Sequence, residues 1–542
     1  MQNVRDVTFQ LLRELGLTTF FGNPGSTEVT FLKNFPADFR YVLALHEASA
    51  IAIADGFAQA TGRPALVSVH TAAGTANVMG NLMGASLNKT PLIVTAGQQT
   101  REMLLMEPWL TNVEATMLAR PWAKWAYEPV RAEDVPGAFM RAFATAVQPP
   151  AGPVFLSLPL DDWAKPCAGP AVVRTVSRRV APERARLAEF AKALSEASSP
   201  VLIYGAAIDR GNGWSEAVAF AEALGAPVWS APLPERAPFP ENHPLYAGNL
   251  PPAIGPLCQK LEAHDVALVV GASVFRYYPY TPGPYLPDGM RLLHISDDPT
   301  ETSRAPVGDS LLGDAVLSLA ALTELLGELR PAGGKALEGL AHRMAPHPPN
   351  PAKVSDDGLL TAAQVFEAIH RIRPANAILV AETPSSLPDL HAVWPITEPA
   401  SFFAFASGVL GWGLPASVGI ALGERETGRN RPVIMIIGDG SFQYSIQSIW
   451  TAVQHHLPIL FVVLRNGEYA VLKSFAAHED SPGVPALDLP GIDIISLAKG
   501  YGCDAALLDD LDAIRSAIAE AWTKSKPTVL EIPISPVVPP LF

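Results

Sequence analysis

Cysteine is scarce in this 542-residue chain. Cys167, Cys258 and Cys503 are the three present, far apart and without a CxxC spacing. That excludes a disulfide framework or a cysteine-based zinc site and fits a reducing cytoplasm. Charge is sparse too. Only 17% of residues are charged, and the net charge is −14 with no basic run, so the footprint of a nucleic-acid surface is missing. No apolar stretch reaches about 18 residues, so nothing spans a membrane. The opening MQNVRDVTFQLLRELG has the pattern of an amphipathic helix rather than a signal peptide. There is no GxxxxGK[ST] loop for a nucleoside triphosphate. Apolar residues, by contrast, make up 49% of the chain, ample for about three buried cores of ordinary size.

Those cores are legible as alternating strands and helices. Residues 1–180 carry the strand patterns TTFFG, RYVLAL, PALVSVH, PLIVTAG and GPVFLSLP, with helices at about 4–15 and 27–33. The alanine-rich run after His46-Glu47 is a helix stopped by Gly62. Residues 181–340 repeat the grammar with PVLIYGAAI, APVWSAP, VALVVGASV and RLLHISDD. A Pro/Gly-rich stretch at about 330–358 is a linker, and residues 341–542 form a third unit ending in PTVLEIPI. Alternation of this kind predicts an α/β protein of three doubly wound, parallel-sheet domains.

The chemistry concentrates between Pro432 and Asn466. Val433 to Ile437 form a strand buried on both faces, ending at Gly438-Asp439-Gly440. Ser441 can N-cap a helix reaching about His456, and a second apolar strand from Leu457 to Leu464 ends at Arg465-Asn466-Gly467. Parallel strands place both ends on one sheet edge, where a carboxylate, an amide oxygen and open backbone suit a hard cation with a phosphate ester. GDG alone is a weak signal; GDG followed after 25 residues by Asn, with one helix and one strand between, is specific.

This segment resembles the cofactor motif of thiamine-diphosphate (ThDP) enzymes. FGNPGS, HEASAIAIADGFAQATGRPA, TAGQQTR, GPVFLSLPLDDW and GASVFRYY narrow the resemblance, over essentially the whole chain, to the ThDP-dependent 2-keto acid decarboxylases of the benzoylformate decarboxylase branch. The resemblance implies a pyrimidine-binding domain at 1–180, a central domain at 181–340 and a diphosphate-binding domain at 341–542. It implies ThDP with Mg2+ or Ca2+, the metal held by Asp439, Asn466 and the carbonyl of Glu468. Glu47 would activate the cofactor, since ThDP chemistry needs a carboxylate against the pyrimidine to prepare its internal base. Ser385, Gly408, Leu410, Gly438, Gly440, Ser441 and Tyr469 complete the cofactor set, Leu410 as the bulky residue that bends ThDP into its V shape. Ser26 matches a serine that holds the substrate carboxylate, and His70 a histidine that transfers protons. The substrate is a small 2-keto acid, aromatic or bulky. The protein is then a homo-oligomer with its active site at the dimer interface, a dimer at the least and a tetramer by expectation.

Several positions depart from the pattern. Tyr278 stands where a second catalytic histidine is expected. A phenol donates a hydrogen bond but does not carry a proton near neutrality as imidazole does, which leaves His70 or water for the protonation after CO2 loss. Pro384 replaces a hydroxyl residue, and Arg465 precedes the metal asparagine where Asn is common. In the substrate pocket Trp109 and Val471 stand where smaller residues are usual, and Ala404 where an aromatic is expected, while Leu110, Leu472 and Phe475 keep an apolar wall. The alternatives are a carboligase resembling acetohydroxyacid synthase, a cofactor-binding protein that has lost turnover, and, more remotely, a flavin oxidoreductase. Gly411-Trp412-Gly413-Leu414-Pro415-Ala416 satisfies a dinucleotide-binding pattern, but no buried strand runs into it and Ile436 stands where an acid should contact ribose.

Overall fold

The computed structural model describes residues 2–170, 172–329, 355 and 357–541. The linker expected at 330–358 falls almost wholly outside them. Each third of the described chain builds one six-stranded parallel sheet flanked by helices. The first runs Arg40–Leu43, Thr19–Gly22, Ala65–Val69, Leu92–Gln98, Val154–Pro159, Ala126–Tyr127. The second runs Asp309–Leu312, Arg291–Ser296, Val266–Val270, Pro200–Tyr204, Val228–Ser230, Tyr246–Asn249. The third runs Phe402–Ala404, Ile378–Glu382, Val433–Gly438, Ile459–Arg465, Thr528–Pro533, Asp504–Leu507. Every strand read from apolar runs is present. The strands that the sequence pattern missed include the short edge strands Ala126–Tyr127, Tyr246–Asn249 and Asp309–Leu312, half-buried and without a continuous apolar run.

Helix ends follow local chemistry. Asn3 caps the helix Val4–Glu14 by accepting the N–H of Asp6, and Gly62 ends Glu47–Thr61 in the left-handed conformation at φ +66°. One expected helix is corrected. The segment from Ser441 to His456 forms two pieces, Asp439–Tyr444 and Ser448–Gln454, and the first begins at Asp439 with Gly438 as its cap. The break falls where Ser445 turns its hydroxyl to the carbonyl of Gly411 at 2.7 Å, so a contact from another loop replaces the next helical turn.

Two helices join the first and third domains at backbone distance. Glu47–Thr61 lies against Gly413–Glu426, and a Cβ on Gly419 would sit 1.8 Å from the carbonyl oxygen of Ile53, one on Gly56 2.1 Å from that of Ala416. Only glycine fits either crossing point. Beside it the fully buried Asp55 accepts hydrogen bonds from Trp412 (2.7 Å), Asn88 (2.8 Å) and Thr90 (2.5 Å). The helix that begins at Glu47 is thereby fixed to the segment that follows Leu410. Among the described residues no helix is long and apolar enough to cross a membrane.

Candidate active site

The parallel register sets Gly438 opposite Leu464, so the GDG turn and the Asn466 turn leave the same edge of the third sheet. A direct contact joins them: the N–H of Gly467 donates to Asp439 Oδ2 at 2.8 Å, while the N–H of Gly440 donates to Oδ1 at 2.9 Å. Around them opens a cleft whose lining includes Ser385, Leu410, Ser441, Tyr469 and Val471. Six of the eight residues expected to touch the cofactor line it; Glu47 and Gly408 do not.

Its donors are oxygens of the hard kind: the Asp439 carboxylate, the Asn466 amide and the backbone of Glu468. Asp439 is buried, and desolvation raises its pKa against the opposing pull of its backbone donors and Arg465. It forms no salt bridge among the described residues, so a bound cation would neutralise an otherwise costly charge. Glu468 has one carboxylate oxygen paired with Lys473, while the other, Oε1, is buried without a partner. A Cβ on Gly438 would meet nothing within 4 Å, which leaves its backbone open to a ligand. These residues fit a divalent cation with a diphosphate. Gly440 is helical, and a Cβ there would lie 2.5 Å from the ring of Tyr469. Ser441 is not the helix cap; its hydroxyl turns to the buried Glu382.

The N-terminal domain carries a second group. Glu47 is the half-buried first residue of its helix, and Asn77 Nδ2 donates to its Oε2 at 2.9 Å. His70 precedes the helix Thr71–Leu87, with Nδ1 3.0 Å from Glu28 Oε2 and 3.2 Å from the Thr27 hydroxyl. Glu28 is 3% exposed and also takes the N–H of Gly25 and of Gly97, at 2.9 and 2.8 Å. An ionised carboxylate only accepts, so Nδ1 carries the proton and Nε2 is the working nitrogen. Ser26 is exposed at the start of this loop.

The substrate-wall residues divide. Val471 lines the cleft, and Phe475, four residues on along the helix Ala470–His478, meets the ring of Tyr278 at 5.0 Å between centroids. Leu472 is exposed beside them. Trp109 and Leu110 lie on an exposed loop of the N-terminal domain, and Ala404 packs inside the core of the third domain. Arg465 pairs with Glu531 at 2.5 Å. Among the buried carboxylates that escaped the sequence reading, Glu28 holds His70 and Glu382 holds the turn after Leu410. Glu382 bears the signature that revealed Asp439, an acid closing a buried apolar strand, and that signature was enough to find it.

Three models of the thiamine pyrophosphate enzymes match in order: the N-terminal TPP-binding domain at 2–115, the central domain at 187–322 and the C-terminal TPP-binding domain at 386–532. The chain belongs to the thiamine pyrophosphate enzyme family. ThDP is therefore its cofactor, with the divalent cation typical of the family. A benzoylformate decarboxylase of Pseudomonas aeruginosa is 44% identical over 99% of this chain and 100% of its own. The crystal structure of a benzoylformate decarboxylase from Polynucleobacter necessarius superposes with a TM-score of 0.96 at 50% identity, covering 100% of both chains. A 4-hydroxybenzoylformate decarboxylase from Rhodococcus jostii RHA1 gives 0.92 at 39% identity over 98% of this chain and 99% of its own.

Proposed function

We propose that this protein is a ThDP-dependent carboxy-lyase that splits an aromatic or bulky 2-keto acid, benzoylformate or a close analogue, into aldehyde and CO2. The full-length match to benzoylformate decarboxylases carries the reading. The geometry supports it with a cation- and diphosphate-compatible cleft lined by Val471, one helical turn from Phe475, whose ring meets that of Tyr278 and offers aromatic surface to a phenyl ring.

Bound ThDP supplies the nucleophilic carbon and the place for the electron pair released with CO2. The chain's own groups orient and move protons. Asp439, Asn466 and the Glu468 carbonyl would hold the cation, and Leu410, Ser385, Gly438, Gly440, Ser441 and Tyr469 the cofactor. Glu47 takes and returns a proton at Oε1, since Asn77 occupies Oε2. Ser26 holds the substrate carboxylate. His70 gives the proton that replaces CO2 from Nε2, with its ring fixed by Glu28 and Thr27. Tyr278 serves as a wall rather than a proton carrier. A panel of benzoylformate, phenylpyruvate, pyruvate and a branched-chain keto acid, with products identified by mass, tests this. Benzaldehyde from benzoylformate is expected. Acyloins from pyruvate in its place would favour the carboligase.

The same reading makes the active site a two-chain structure. Glu47, Ser26 and His70 are absent from the lining of the metal cleft. The N-terminal domain also exposes apolar side chains, Leu105 at 97% and Trp109 at 93%, more than a solvated surface tolerates in one place. A second copy, seating that loop and Glu47 against the cleft, covers the one and completes the other, and a pair of such dimers gives the tetramer. Light scattering is expected to find a dimer or tetramer carrying all the activity; an active monomer would contradict it.

A further inference from the structure

The strand Ile378–Glu382 ends in a carboxylate to which the reading above gives no task. Glu382 is fully buried, and its hydrogen-bonding neighbours are backbone amides and one hydroxyl, with no cationic side chain among them. Burial pushes its pKa up to about 7 although these donors favour the charged form. A buried ionisable group without a counter-charge is expensive to keep, so its contacts are the place to look for its use.

Those contacts converge on one turn. Glu382 Oε1 accepts the N–H of Gly411 at 2.7 Å and Oε2 that of Gly413 at 2.5 Å, while the hydroxyl of Ser441 donates to the same carboxylate. Gly411 follows Leu410, the side chain that enters the cleft. Its backbone is at φ +90°, and a Cβ there would lie 2.6 Å from Cβ of Tyr444. The carbonyl of Gly411 is held in turn by Ser445 at 2.7 Å. Gly411 is thus clasped through both of its flanking peptides, by Glu382 at its N–H and by Ser445 at its C=O. Glu382 also links three walls of the cleft: its own strand end, which continues into Thr383, Pro384 and Ser385; the Leu410 turn; and the first turn of the helix that begins at Asp439. A hydrophobic side chain would fill the space equally well but could receive none of these donors.

We propose that Glu382 is a positioning residue that sets Leu410 in the cleft through the amides of Gly411 and Gly413, and so fixes the shape in which the cofactor is bound. The inference rests on the ThDP reading of the site.

The test is a double-mutant cycle on apo protein titrated with ThDP at fixed Mg2+. The readouts are tryptophan fluorescence, to which Trp412 contributes, and near-UV circular dichroism of the bound cofactor. Glu382→Gln keeps the size but turns an NH2 toward an N–H donor. The variant is expected to melt within about 3 °C of wild type without cofactor, to bind ThDP on the order of 10-fold or more weakly, and to alter the dichroism. Because both residues act through one turn, Glu382→Gln and Leu410→Ala together are expected to lose clearly less than the sum of the single losses. Wild-type affinity and dichroism in Glu382→Gln, or strictly additive losses, would overturn the proposal. Should that variant fail to fold, hydrogen exchange in the wild-type apo protein decides: slow exchange at Gly411 and Gly413 supports the clasp, and exchange at the free-peptide rate removes it. Wild-type protein that binds no ThDP would instead remove the cofactor reading, and the inference with it.

Discussion

Glu47→Gln is expected to lower the turnover of 2-keto acid decarboxylation by about 10²–10⁴-fold, the range over which a positioned acid–base group contributes, with ThDP still bound. The substitution is close to isosteric. Asn77 can still donate to the amide oxygen, and the helix Glu47–Thr61 keeps its packing against Gly413–Glu426, so fold and assembly should persist. What disappears is the ability to exchange a proton at the free oxygen. Steady-state rates at saturating ThDP, beside a direct measurement of bound cofactor, separate the two. A variant with bound ThDP and turnover within about threefold of wild type would remove Glu47 from the chemistry.

Asp439→Asn is expected to weaken ThDP binding at fixed Mg2+ by at least about 100-fold, since even partners that merely support a metal ligand are worth 10–100-fold. Two effects act together. The cation loses the one carboxylate among its oxygen donors. The amide NH2 must also face either the N–H of Gly440 or that of Gly467, both of which now donate to Asp439, so the contact joining the two strand ends is broken. Titration calorimetry with ThDP, repeated over a range of Mg2+, reads the loss. Affinity within a few-fold of wild type would place the metal elsewhere.

Much of this site was visible in the sequence because parallel sheets convert apolar runs into geometry. The runs ending at Gly438 and Leu464 had to leave one edge, and the contact from Gly467 to Asp439 is the physical form of the GDG-to-Asn spacing. The helix after GDG was harder. Its sequence supports one continuous element, and the break at Ser445 comes from Gly411, 34 positions away in the chain, which local propensity cannot register. Ser441 read as a cap for the same reason: the carboxylate that claims its hydroxyl closes another strand. Glu382 passed unnoticed although an acid at the end of ILVAE obeys the rule applied to Asp439. The glycine-bearing decoy GWGLPA resolves with it, since two of its glycines supply the amides that Glu382 holds. Trp109 marks a different limit. A tryptophan 93% exposed in one chain reads as pocket wall only once a second chain is placed against it.

The central claim meets its most direct test in a single assay: benzoylformate supplied to purified protein with and without ThDP and Mg2+, following CO2 and benzaldehyde together. The account predicts equimolar release of both, dependent on the cofactor and abolished when the metal is chelated. ThDP bound to protein that leaves benzoylformate, its 4-hydroxy analogue and other aromatic 2-keto acids untouched would contradict it.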